Sequence, residues 1–308
     1  MAASFGTSHL PVGRVASVPG ADRKVKRRSA FGYLILAPQA LLLLLTLGVP
    51  GVMLGRLALA RTDFIGWEWV GLQNMVSIVQ DAVFWKALAN TGLYVVFIVP
   101  TTVGMALLFA LLAYDLSRAM RSYLRVSLYL PTLTAGLIIA TVWRWIWHPS
   151  SGLANWMLGL LGLEPVWWLG NRLSGIFAIS CNLIVGGLGF MTMLFLAAIL
   201  TVPKEMLDAA AIDGAGPWGV RWLVIAPSIA PTVALMGTLS LLGTAQMWET
   251  VMMTTNGGPD HGTASLMFDI YETAFLKGQS GLGSAKTLVL VAVVVALAIV
   301  KRQIERER

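Results

Sequence analysis

Residues 278–287, Gly278-Gln-Ser-Gly-Leu-Gly-Ser-Ala-Lys286-Thr287, come nearest in this chain to a loop that cradles phosphate. In such a loop the lysine directly follows the last glycine, so that backbone N–H groups and the ammonium converge on one phosphate chain. Here Ser284 and Ala285 intervene, and the stretch reads instead as a turn into an apolar helix. Glu249 and Arg144 lie in apolar stretches, a costly location that points to function by default. Both fall near the ends of those stretches, where a long side chain is either an interfacial anchor or a contact for a gate or ligand. No carboxylates recur along the apolar segments as a proton relay requires, and no nucleophile is spaced with an acid–base partner. Cys181 is alone, which excludes an intrachain disulfide and a cysteine metal site, and His9, His148 and His261 lie in three different segments. What remains is non-covalent recognition. Ser240, Thr244 and Met247 recur at i, i+4 and i+7 and so share a helical face; Cys181, Gly186 and Phe190, with Gly187 beside them, come near the same spacing. Such a stripe serves either helix packing or a polar ligand between helices.

The elements that hold these residues must lie in lipid. With 57% hydrophobic and 12% charged residues and a mean hydropathy of +0.75, the chain is far from the composition of soluble domains. Apolar stretches long enough to span, about 17–25 residues, occur near 31–54, 90–114, 127–147, 174–200, 232–252 and 284–300. The expectation is an all-α polytopic membrane protein with six transmembrane helices in one domain, residues 30–301. It is flanked by a disordered tail, 1–29, and a short carboxyl tail, 302–308. Residues 55–89 and 148–173, with Trp67, Trp69, Trp85, Trp156, Trp167 and Trp168, read as interfacial belts and short lateral helices; stacking on a sugar is the other use of such rings.

Charge sets the orientation. Fifteen lysines and arginines fall in the two tails and in the loops after the second and fourth spans, against five in the opposite loops and two at span edges. The positive-inside bias puts both termini and the loop 201–231 in the cytoplasm. A formal charge of +7 does not imply nucleic acid, because the basic residues sit at membrane borders rather than among aromatics on a polar face. No secretory signal precedes residue 30.

The cytoplasmic loop carries the most specific pattern. Pro203 supplies a first helical position, Glu205 and Asp208 bring negative charge toward the positive end of a helix, and 206–212 is an Ala-rich helical run. Gly214 and Gly216 break it, Pro217 starts a second short helix and Pro227 closes the unit. The result is a knob with little bulk at its bend and no cluster suited to catalysis.

This stretch resembles the EAA loop of binding-protein-dependent ABC importer permeases on Asp208, Ala209, Ala210, Asp213, Gly214, Ala215 and Pro227. It departs from that pattern at Asp208 for Glu, at Arg221 for an aromatic and at Ala226 for Leu. Asn90-Thr91, Tyr129-Leu-Pro131, Trp143-Arg-Trp-Ile-Trp147, Gly152 with Asn155, and Thr255-Asn-Gly-Gly-Pro259 with Ile270-Tyr-Glu-Thr-Ala-Phe275 extend the likeness to the carbohydrate-uptake branch over about residues 30–300. The Gly-Gly-Pro loop is more like the first permease of a heterodimeric pair.

The resemblance implies a type I importer permease fold in a bacterial inner membrane and no enzyme activity in this chain. Its implied partners are a second permease subunit, two ATP-binding subunits and an extracytoplasmic solute-binding protein. No cofactor is implied for the chain itself, since ATP and Mg would be bound by the ATPase subunits. It implies that Glu205, Asp208, Ala209, Ala210, Asp213, Gly214 and Ala215 couple to the ATPase, with Gly214 as the bend and Asp208 and Asp213 holding it by capping and by contacts. The fourth and fifth spans would face a sugar or polyol through Gly186, Gly187, Phe190, Ser240, Thr244, Gln246 and Met247, by alternating access. A permease for glycerol phosphates or phosphodiesters, a secondary transporter and a membrane enzyme are the rivals.

Overall fold

The computed structural model describes residues 33–62, 66–133 and 136–306, so the amino tail 1–29 lies outside the described residues. The chain falls into two compact units, Met1–Met53 and Leu54–Arg308. In the first, the described residues belong to helix α1 (Tyr33–Ala58), with a π-helical turn at Leu44–Gly48.

The second unit contains a short hairpin, β1 (Ala60–Thr62) and β2 (Trp67–Trp69), paired antiparallel with Arg61 opposite Glu68. This hairpin is absent from the sequence-based expectation, because three-residue strands leave no readable period. Helices α2 (Gln73–Gln80), α3 (Ala82–Ala113), α4 (Arg118–Leu133), α5 (Gly136–Ile146), α6 (Leu153–Leu160) and α7 (Arg172–Ile199) follow. After α7 come α8 (Lys204–Ile212), the bent pair α9 (Pro217–Ser228) and α10 (Ala230–Ala245), then α11 (Glu249–Thr254), α12 (Leu266–Tyr271) and α13 (Ser280–Arg306).

Helices α3 and α7 form the centre of the bundle and pack along their lengths. Each starts at a side-chain cap: the Asp81 carboxylate accepts the N–H groups of Val83 and Phe84 at 2.9 and 3.3 Å, and Asn171 Oδ1 accepts that of Ser174 at 3.1 Å. These caps satisfy N–H groups the first turn leaves free. Beyond them both helices are apolar on nearly every face, as a helix between protein and lipid must be. Gly189 lets α7 and α4 approach closely, since a Cβ there would collide with the Leu128 carbonyl.

Among the described residues α1, α3, α7 and α13 are each long and apolar enough to cross a membrane, and α9 with α10, bent by 67°, makes a fifth span if taken together. The expected third span, 127–147, falls on α4 and α5, with residues 134–135 outside the description. The expected fifth, 232–252, stops at Ala245 and resumes as α11 at Glu249. Helix α13 continues to Arg306, past the apolar stretch Ser280–Ile299.

Three apolar clusters stack along the second unit. One surrounds Leu111, Phe195 and Ile225 near the knob, one Tyr94, Ile179 and Phe268, and one Phe84, Leu266 and Ala285 at the far end. The far end also holds a buried ion cluster. Lys286, 2% exposed, lies 2.9 Å from Asp81 and 2.8 Å from Asp269 and donates to Thr273 Oγ1 at 3.1 Å. The lysine of the phosphate-loop-like stretch is thus committed to tying α13 to α12 and to the start of α3.

Candidate functional site: a membrane cavity and a helical knob

Near the middle of α7 a cavity of about 590 Å³ opens between α3, α5, α7, α10 and α11. Five of the seven residues expected along a substrate pathway line it: Gly186, Gly187 and Phe190 from α7, and Ser240 and Thr244 from α10. The i, i+4 spacing puts Ser240 and Thr244 on one face, and the missing side chains at Gly186 and Gly187 make the room. A Cβ on Gly187 would sit 3.2 Å from the Thr102 methyl, whereas one on Gly186 meets nothing within 4 Å.

Gln246 and Met247 do not line the cavity. Helix α10 ends at Ala245, so the helical period that placed Met247 on the Ser240 face no longer holds. Met247 instead packs with Tyr94, Ile179 and Phe268, and its carbonyl accepts from Ser265 Oγ at 2.6 Å. Gln246 is exposed in the break between α10 and α11.

Three polar residues that the spacing alone does not pick out also line it: Thr102, Asn182 and Thr250. Asn182 and Thr102 are 4% and 3% exposed, and among the described residues neither Asn182 Nδ2 nor Thr102 Oγ1 has a hydrogen-bond partner. Buried donors are seldom left so. Asn182, Gly186 and Phe190 form a clean i, i+4, i+8 row, and choosing Cys181 one position earlier rotates that row by about 100°. The remaining wall, including Ile98, Leu183, Met236 and Leu239, is apolar, and no lining residue is charged. The cavity therefore offers amide and hydroxyl groups against an apolar and aromatic wall, without the cations that hold phosphate.

The loop after α7 folds as a compact knob. Pro203 is the N-cap and Lys204 the first helical residue of α8, one position later than expected. Glu205 occupies the first turn, where the helix dipole favours a carboxylate. The helix ends in a backbone motif: Gly214 N–H donates to the Ala211 carbonyl at 3.1 Å and Ala215 N–H to that of Ala210 at 3.0 Å, with Gly214 at φ +82°. That is a Schellman termination, which calls for glycine at its left-handed position. Asp208 and Asp213 make no capping bond, contrary to expectation. Asp208 is the middle residue of α8, beyond the first turn whose N–H groups a carboxylate could cap, and Asp213 is the C-cap, where the free backbone groups are carbonyls and a carboxylate has no proton to give them. Glu205, Asp208, Ala209, Asp213 and Gly214 are exposed, while Ala210 and Ala215 are half-buried.

Arg221, at a position the EAA pattern gives to an aromatic, bonds to the Asp115 carboxylate and lies over the Trp218 ring, 4.8 Å from its centroid. Arg121 donates beside it to the carbonyls of Ala113, Tyr114 and Leu116. The cation is thereby neutralised against the segment after α3, and the knob is tied to the bundle.

The family model described as "Binding-protein-dependent transport system inner membrane component" matches residues 115–308, well over half of the chain. The chain belongs to that family of ABC transporter permeases. Among its relatives, the sulfoquinovosyl glycerol transport system permease protein SmoG of Agrobacterium fabrum is 30% identical, over 89% of this chain and 90% of that protein. The trehalose/maltose transport system permease protein MalF of Thermococcus litoralis is 29% identical, over 92% and 97%. In three dimensions the permease superposes on a chain of a bacterial ABC transporter involved in the import of the acidic polysaccharide alginate. The TM-score is 0.79 at 23% identity, covering 92% of this chain and 98% of that one; this establishes the shared fold. The permease is thus a mostly helical, multi-pass membrane protein.

Proposed function

We propose that this permease passes a sugar or related polyol inward through the cavity between α7 and α10, as part of an ATP-driven importer. Its partners in this reading are a second permease, two ATP-binding subunits and a solute-binding protein, and six spans put both termini and the α8 knob in the cytoplasm. The observation that carries it is the cavity's chemistry. Amide- and hydroxyl-bearing residues line it beside an apolar wall with no charged lining residue, inside a family whose relatives include trehalose/maltose and sulfoquinovosyl glycerol permeases. The lack of lining cations speaks against a glycerol-phosphate cargo, and the lack of lining carboxylates against proton-coupled transport. Each hydroxyl or amide contact contributes only about 0.5–1.5 kcal/mol net, which suits a site that must release its cargo in every cycle.

Purified with its copurifying subunits and placed in proteoliposomes, the permease should accumulate a labelled sugar from a panel of glucose, maltose, trehalose and N-acetylglucosamine when ATP is on the knob side. Accumulation that follows a proton gradient and ignores ATP would make it a secondary transporter instead.

Orientation has its own test. In a Cys181→Ser background, Lys204→Cys should resist an impermeant maleimide in intact cells and Lys277→Cys should react. External labelling at position 204 would reverse the topology and remove the knob from any ATPase.

Coupling through α8 predicts that Gly214→Val lowers uptake at least tenfold, since a β-branched residue at φ +82° costs about 1–3 kcal/mol and opens the Schellman turn. Solute capture by the separate binding protein should be unchanged. Parental uptake and ATPase association in Gly214→Val would detach the bend from coupling.

A further inference from the structure

We propose a second sugar subsite, resting on the sugar-import reading above, in the pocket at the α7 start, the end of the bundle away from the α8 knob. The pocket encloses about 450 Å³ and is lined by Arg144, Trp147, His148, Trp167 and Thr254 among others, a volume in the range of small-molecule sites. Trp147 and Thr254 are 7% and 5% exposed, and among the described residues Trp147 Nε1 and Thr254 Oγ1 have no hydrogen-bond partner.

The neighbouring wall is fully bonded by contrast. Asn155 donates to the carbonyls of Pro149 and Val166 at 2.7 and 2.9 Å and accepts from Val166 N–H and Trp168 Nε1 at 3.0 and 2.8 Å. Trp147 is clamped between Trp143 and Trp168, with ring centroids 5.8 and 5.1 Å away. A wall this rigid, beside two buried polar atoms without partners, is preorganised for a ligand rather than loosely packed.

The lining chooses the ligand class. Arg144 offers guanidinium N–H groups, the Trp147 indole N–H lies buried in the wall behind them, and His148 Nδ1 sits 3.4 and 3.3 Å from the N–H groups of Ser150 and Ser151, which leaves its ring proton on Nε2 as a further donor. No carboxylate lines the pocket. Its complement is a molecule rich in acceptor oxygens with an apolar face for the exposed Trp167 ring, which describes a pyranose.

The two cavities are in series. Thr250 lines the central cavity and Thr254 this pocket. On α11 (Glu249–Thr254) they stand one turn apart, about 6 Å along the axis, on the same face. Helix α5 and the residue after it also reach both, with Ile139 at the central cavity and Trp147 at this pocket, about two turns apart. A sugar at the outer subsite is thus held one helical turn from the Thr250 hydroxyl that meets it next.

Thr254→Val tests the assignment. An unpartnered buried hydroxyl that serves only packing is replaced by its apolar isostere at no loss of stability, and sugar binding would not change. The full-length permease in nanodiscs carries Cys181→Ser with either Leu169→Cys in this pocket or Leu239→Cys in the central cavity; Thr255→Cys is a second reporter for the pocket. Alkylation by N-ethylmaleimide is timed with and without 100 mM of the panel sugars. At least one sugar should slow Leu169→Cys threefold or more, and Thr254→Val should abolish that protection while leaving Tm equal or higher and the Leu239→Cys protection intact. Protection of Leu239→Cys alone, protection at 169 that survives Thr254→Val, or reporters at 169 and 255 that never react because another chain covers the pocket, would each overturn the subsite. Protection at no position would instead reject the sugar-import reading on which it rests.

Discussion

Lys286→Met should remove about 3–5 kcal/mol from the folded state, the cost of deleting one partner of a buried ion pair and leaving its mates uncompensated. Lys286 meets Asp269 with both carboxylate oxygens, at 3.0 and 2.8 Å, and Asp81 at 2.9 Å. Lys286 and Asp269 are 2% and 1% exposed, so water cannot take over the abandoned charge. The expected result is a collapse in yield of monodisperse protein from detergent and a Tm too low to measure in the survivors, with Asp269→Asn in the same chain restoring part of both. An unchanged Tm in the single variant would show that the cluster contributes no cohesion between α13 and α12. The cluster also gives the far end an acid limit. Burial opposes ionisation of Asp81, but the Lys286 ammonium and the N–H groups of Phe84 and Val83 outweigh it and hold the carboxyl below its ordinary value. A carboxyl so lowered contributes stability that is complete above its ordinary value and is lost as pH falls through the folded one. Asp81→Asn should flatten that part of the pH–stability curve.

Gly187→Trp should abolish uptake while leaving subunit assembly and basal ATP hydrolysis near the parent. A Cβ at 187 already lies 3.2 Å from the Thr102 methyl, so an indole has nowhere to go but into the roughly 590 Å³ between α7 and α10. Smaller changes should act in proportion. Thr244→Ala and Asn182→Ala each remove one hydrogen-bonding group and should lower uptake several-fold, as about 0.5–1.5 kcal/mol implies. Phe190→Ala removes part of the wall and should do the same. Transport through Gly187→Trp at the parental rate, or losses that always follow loss of assembly, would return this face to helix packing.

Residue types and spacings alone determined that the chain lives in lipid, that a Gly-bent helical knob interrupts its apolar run and that Ser240 and Thr244 share a helical face. These are local facts, carried by hydropathy, by the glycine that a left-handed turn needs and by the 3.6-residue period. The same period misled wherever the helix stopped. Met247 lies beyond Ala245 and turned into the core, and Asn182 took the place that a row one residue out of phase gave to Cys181. Aspartates near the bend suggested capping, yet the helix end that needed a cap offered only carbonyls. What only the tertiary structure decided is where distant charges meet. Arg221 became harmless because Asp115, 106 residues away, lies within reach, and the lysine of an apparent phosphate loop is buried between Asp269 and Asp81. No sequence spacing encodes such pairs, because the chain between them is free to take any length once α3, α7 and α13 are packed. The unpartnered Asn182, Thr102, Trp147 and Thr254 are likewise products of packing: burial removed their water, and the bundle supplied no replacement.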